Sequence, residues 1–150
     1  MQFIHGILNI GEVLSPPLIK AVKRHINFKG SVIIDAPPGT SCPVIEAIRG
    51  SNFCILVTEP TPFGLNDLIL AVEVVKKMDI PFGVIVNRAN LENSEIENYC
   101  SRENIEILMK IPYSRNVASA YSKGIPLVEI IPQYREKFVQ MFKLIKERVI

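Results

Sequence analysis

Ser31-Val32-Ile33-Ile34-Asp35-Ala36-Pro37-Pro38-Gly39-Thr40-Ser41-Cys42-Pro43 is the stretch on which the reading of this chain turns. Three of its first five residues, Val32, Ile33 and Ile34, are β-branched and apolar. Such a run suits a strand buried on both faces, as in a parallel sheet. The run ends in a carboxylate, which is costly to leave beside a buried strand unless a metal ion, a metal-held water or backbone N–H groups offset it. Two prolines then stiffen the turn, and Gly39 lets backbone approach a ligand without a Cβ. The helix start that follows points free N–H groups and a positive dipole end outward, which suits an anion. The bland alternative is that Asp35 merely caps its turn.

Outward from this stretch, strand-like and helix-like segments alternate along the whole chain. Phe3–Ile10 reads as a strand bounded by Gly11. Ser15 offers an N-cap hydroxyl before Pro16, and that helix runs to about His25. Pro43–Arg49 reads as a short helix stopped by Gly50. Phe53–Thr58 is the next buried strand, and Thr61 and Pro62 prepare a helix over Gly64–Met78. Phe82–Asn87 is a further strand. Ser94 and Glu97 form a capping box for a helix to about Glu103. Ile105–Ile111 is a shorter strand, Ser114 caps a helix over Arg115–Lys123, and Gly124 ends it. Tyr134–Val149 is a final amphipathic helix with Tyr134, Phe138, Met141, Ile145 and Val149 on one stripe. The pattern predicts an α/β fold: a mostly parallel sheet with helices on both faces. Ligands in such sheets sit at the carboxyl ends of the strands, here from Asp35, Thr58 and Asn87 onward.

Composition narrows the class. A chain of 150 residues with 48% apolar and 21% charged residues and a mean hydropathy of +0.24 is a single folded domain, not a disordered segment. Nothing in it reads as a membrane-spanning run or a secretory signal, so the expected location is cytoplasmic. A net charge of +2, with bases and acids interleaved, gives no case for nucleic acid. Cys42, Cys54 and Cys100 include no C-x-x-C pair, which excludes a disulfide framework or a self-contained metal cluster.

Two further motifs are weak alone. Asn87 in Val84-Ile85-Val86-Asn87-Arg88 offers an amide donor and acceptor together and can read a purine edge, although asparagine is also a common turn former. In Ile111-Pro112-Tyr113-Ser114, Pro112 fixes the loop and leaves neighbouring backbone groups free to line a base pocket.

Taken in order, IDAPPGTSCPVIEAI, ILVTEPTPFGLNDLILAVEVVKKMDIPFGVIVNR and IPYSRNVASAYSKGIPLVE resemble the MinD/ParA-type P-loop ATPases, nearest to the branch with an inserted ferredoxin-like domain. Leu8–Leu18 resembles the segment that follows that insert. By this resemblance Asp35 and Gly39 are the catalytic candidates: Asp35 as the Walker B carboxylate holding Mg²⁺ through water, Gly39 as the switch glycine facing the γ-phosphate. The same resemblance makes Asn87, Arg88, Pro112 and Tyr113 the nucleotide-binding candidates. It also offers Asp67 as the partner of a signature lysine. Cys42 receives no role.

The sequence departs from the family in one large respect. It contains no G-x-x-x-x-G-K-[ST] and no Gly-Lys dipeptide, so the phosphate-cradling loop is absent from these residues. Cysteine runs able to hold a [4Fe–4S] cluster are absent as well. The resemblance is therefore to the C-terminal half of a family member. ATP and Mg²⁺ are expected for the complete family domain, and hydrolysis by this chain alone should be negligible. In the family the P-loop strand lies beside the Asp35 strand. The expectation is either direct pairing of the Asp35 and Thr58 strands, or a gap filled by self-association or by a partner half bearing the P-loop. Nucleic acid is not expected as a partner, and membrane is disfavoured because the last helix reads as packing on the sheet. The competing reading is a non-catalytic α/β interaction module that binds no nucleotide.

Overall fold

A computed structural model describes residues 2–12, 15–27, 30–89 and 95–149. The chain divides into two compact units, Met1–Ser51 and Asn52–Ile150, each taken by itself below.

In the first unit, α1 (Ser15–Lys23) packs on α2 (Cys42–Ile48). Helix α1 begins at Ser15 itself, with Pro16 in its first turn. Helix α2 follows an extended Ser41 whose side chain makes no cap bond, has Pro43 in its first turn, and ends before Gly50 at φ +75°. Lys23 ties the two helices together. Its ammonium donates to the carbonyl oxygens of Glu46 (2.9 Å), Ala47 (3.0 Å) and Arg49 (2.7 Å), satisfying acceptors that a helix end leaves open. Val44, Ala47 and Ile48 are buried.

Two expected strands in this unit are not formed. Neither 3–10 nor 31–35 belongs to a ladder, and their apolar side chains stand open: Ile10 and Ile33 are fully or nearly fully exposed. Residues 3–10 instead run past α1, where a Cβ on Gly6 would meet Leu18 and Val22 at under 3 Å. The reason is that β structure is not a local property. A strand holds its shape through ladder bonds and cross-strand packing, and among the described residues none pairs with these runs.

The second unit carries β1 (Cys54–Thr58), α3 (Pro62–Lys77), β2 (Phe82–Ala89), α4 (Glu95–Arg102), β3 (Ile107–Pro112), α5 (Arg115–Tyr121), α6 (Leu127–Ile130) and α7 (Gln133–Val149). Its sheet is parallel, in the order β1-β2-β3. Alternation along β2 divides the core. Val84 and Val86 face Leu68 and Val72 of α3 and Ile96, Tyr99 and Cys100 of α4. Ile85 faces the other way, with Met109, toward Tyr134, Met141 and Ile145 of α7. The sheet is thus covered on both faces, the expected α/β arrangement, and the terminal helix buries its stripe on the sheet. Gly83 admits this packing, since a Cβ there would lie 2.7 Å from Leu108 Cγ.

The helix boundaries follow their caps. Thr61 accepts from the Gly64 N–H at 3.0 Å and Ser114 accepts from Val117 N–H at 3.4 Å. The Ser94 half of the expected capping box lies outside the described residues. Strand β1 is an edge strand of this sheet. Ile55 and Val57 on β1 remain 40% and 65% exposed.

Candidate functional site

Parallel strands bring their carboxyl ends to one edge, and in the second unit that edge gathers the expected base-pocket residues. Val86 pairs with Lys110, Asn87 with Ile111, and Ala89 with Pro112. Asn87 therefore stands within a residue of Pro112 along the sheet, and Tyr113 follows at once, half exposed. Asn87 is partly buried, as a side chain at a pocket rim should be. The register slips between Asn87 and Ala89, and Arg88 takes φ +51°, in the left-handed region that side chains other than glycine rarely adopt. A bulge of this kind is a common device beside binding sites, because it re-aims a side chain.

The neighbouring strand end adds a residue that the sequence reading passed over. Glu59 directly follows β1, and its carboxylate accepts from Arg88 Nη1 at 3.4 Å. The signal was present: an acid just after a buried apolar run, the same pattern that singled out Asp35. The turn beyond it is rigid. Thr58, buried at 7% exposure, donates its hydroxyl to the Gly64 carbonyl at 2.8 Å. A Cβ on Gly64 would collide with the Glu59 carbonyl oxygen.

Asp35 and Gly39 belong to the first unit. Asp35 is exposed, which corrects the expectation of a costly buried carboxylate, because the run before it is not enclosed in a sheet. Gly39 is left-handed at φ +91°, so the turn after Asp35 does need its glycine. Asp67 lies on the exposed side of α3.

The cysteines differ in character. Cys100 sits in the core, and burial, followed by Glu97, pushes its thiol up; burial does the same at Cys54. Cys42 is exposed at the start of α2. Among the described residues no helix is long and apolar enough to cross a membrane.

Elsewhere the surface is tied by ion pairs. Lys110 Nζ lies 2.7 Å from Glu97 Oε1, and its hydrogen bond holds the Glu97 carboxyl below the usual carboxylate range. Arg148 does the same for Glu106. A cleft lined by Lys76, Asp79, Glu103, Asn104, Glu106 and Arg148 opens at the amino ends of the strands, opposite the expected ligand edge. Its charges largely pair with one another.

Comparison with known proteins agrees with this architecture. No protein-family model matches the chain. It is 32% identical over 124 residues to the uncharacterized protein MJ0579 of Methanocaldococcus jannaschii, an alignment covering 81% of this chain and 42% of that protein. It is 28% identical over 159 residues to an iron-sulfur cluster carrier protein of Pyrococcus horikoshii, covering 87% of this chain and 54% of the relative. The chain spans about half the length of the curated relatives it matches. Among solved structures it resembles the MinD cell division protein of Aquifex aeolicus, with TM-score 0.65, 20% identity, and 87% of this chain and 59% of that chain covered. It likewise resembles the cell division ATPase MinD of Pyrococcus furiosus, with TM-score 0.63, 26% identity, and coverage of 88% and 56%. The fold is the α/β, P-loop NTPase-like fold of the MinD ATPases, and these structural neighbours together with the iron-sulfur carrier relatives are consistent with the MinD/ParA-type superfamily that the motifs resemble.

Proposed function

We propose that this chain is an ATP-binding protein of MinD/ParA type that supplies the base-contacting edge and the switch carboxylate, and takes its phosphate-cradling loop from other residues. The observation that carries the reading is the β2–β3 register, which sets Asn87 beside Pro112 and Tyr113 at one carboxyl edge. An amide that donates and accepts together, next to a proline-fixed loop and an aromatic ring, suits the edge and face of a purine. Asp35 is the residue that would hold Mg²⁺ through water; its exposed carboxylate is open to a hydrated ion, and the left-handed Gly39 leaves room at the following turn. Bound magnesium would neutralise phosphate charge. Among the described residues no group of three or more His, Cys, Asp or Glu side chains gathers to hold a [4Fe–4S] cluster: Cys100 is a packed core side chain, Cys54 is half buried and Cys42 is exposed on α2.

A chemical-shift titration with Mg-ATP tests the reading. Perturbations should centre on Asn87, Arg88 and Tyr113, with no release of phosphate by this chain alone. Shifts confined to other surfaces, or none at millimolar nucleotide, would overturn it. The partner in this reading is a second copy or a chain bearing the P-loop.

A second reading has its own observation in favour. Ile33 at 88% and Val57 at 65% exposure leave β-branched apolar runs uncovered, as an interaction module would. Self-association in sedimentation velocity, with no response to Mg-ATP, would favour that module.

A further inference from the structure

We propose that Glu59 and Arg88 form a latch that positions the Asn87 side chain; this rests on the reading of Asn87 as the base-contacting residue. Three observations converge. First, Arg88 holds a left-handed backbone (φ +51°) at the point where the β2–β3 register slips, immediately after Asn87. A residue with a Cβ keeps such a conformation only where its surroundings over-determine it, and such positions gather at ligand sites.

Second, the restraint is visible. The Arg88 guanidinium donates to Glu59 Oε2 at 3.4 Å. Strand pairing of Thr58 with Val86 sets Glu59 level with Asn87 on the neighbouring strand, so the latch crosses from β1 to the residue just past the amide.

Third, the anchor for Glu59 is stiff. The turn from Thr58 to Gly64 is closed by the Thr58 hydroxyl bond to the Gly64 carbonyl and by the Thr61 cap, with Pro60 and Pro62 between them. Gly64 approaches the Glu59 carbonyl so closely that no side chain fits. A carboxylate on this base holds a guanidinium in one place, and the guanidinium holds the bulge. Glu59 also neutralises Arg88, which makes Arg88 a positioning residue and leaves the adjacent amide as the group presented to the base.

The side chains of Arg88 and Glu59 are 61% and 40% exposed, so the pair adds little to global stability. Its effect belongs in the orientation of Asn87, and that is what the test reads. Solution NMR of the full chain compares wild type with Glu59→Gln, Arg88→Gly and Arg88→Lys. Arg88→Gly keeps the left-handed backbone and removes the side chain, so the chain still folds. The two Asn87 side-chain amide protons should be well separated and restrained in the wild type. They should move toward the averaged values of exposed amides in Glu59→Gln and in Arg88→Gly, and be retained in Arg88→Lys. Affinity for Mg-ATP should fall roughly two- to fivefold in the first two variants, with a narrower preference over Mg-GTP. An Asn87 amide indifferent to both Glu59→Gln and Arg88→Gly overturns the latch. A wild-type chain whose Asn87 ignores Mg-ATP overturns the nucleotide reading instead, while the amide of the free chain still decides whether the latch exists.

Discussion

The Thr58 hydroxyl donates to the Gly64 carbonyl at 2.8 Å and closes the turn that carries β1 into α3. Gly64 makes the closure possible, because its missing Cβ would occupy the space of the Glu59 carbonyl. Gly64→Ala should therefore destabilise the chain by about 1–3 kcal/mol, in the range of overpacking. The expected result is a lower urea midpoint at unchanged m-value. An unchanged midpoint would show that the turn opens freely.

Lys110 and Glu97 supply a pH-dependent contribution. Hydrogen bonding from Lys110 lowers the Glu97 pKa, so folding favours the ionised carboxylate. That contribution is present above the unfolded carboxylate range and is lost as pH falls through the lower folded value. Glu97 Oε2 is buried without a hydrogen-bond partner among the described residues, and Lys110, ahead of a backbone hydrogen bond at Glu97, is the largest influence that lowers its pKa. Lys110→Met should cost about 1 kcal/mol at neutral pH, discounted because the two side chains are 49% and 27% exposed. The difference from wild type should shrink as pH drops below about 4, measured by denaturant titrations across the acid range.

Ile96 and Ile33 should respond in opposite ways to truncation or polar exchange. Ile96 is 1% exposed in the core between α4 and the sheet, so Ile96→Ala should cost about 2–5 kcal/mol. Ile33 is 88% exposed, so Ile33→Thr should change stability by less than about 0.5 kcal/mol. Thermal unfolding of both variants checks the contrast. A large loss for Ile33→Thr would mean that the 31–35 run is enclosed in solution.

Thiol reactivity should separate the three cysteines. Cys42 is exposed, Cys54 is half buried and Cys100 is 1% exposed, and burial raises the pKa of the last two. The thiolate is the reactive form, so a disulfide reagent should modify one thiol per native chain quickly and all three only after denaturation. Cys42→Ser should abolish the fast phase.

Most of the second unit was legible from residue order. Largely apolar runs at 53–58 and 82–87, with caps at Thr61 and Ser114, marked the strands and helices within a residue or two, because caps and apolar periodicity are local signals. The four-residue helix α6 was not anticipated; Leu127–Ile130 lacks a side-chain cap bond and is too short for periodicity to register. Ser31–Asp35 looked as strand-like as Phe53–Thr58, yet forms no ladder, because pairing partners are supplied by other parts of a fold.

The sequence by itself determined the class of this protein: β-branched runs alternating with capped amphipathic segments dictate a parallel α/β sheet, and the motif order carries the family resemblance. Only the tertiary structure decided which runs become strands, that Asn87 pairs with Ile111 and so lies next to Pro112 along the sheet, and that Glu59 reaches Arg88. The physical reason is that caps and apolar period act over a few residues, whereas register, bulges and ion pairs join residues tens of positions apart and exist only once the sheet has formed.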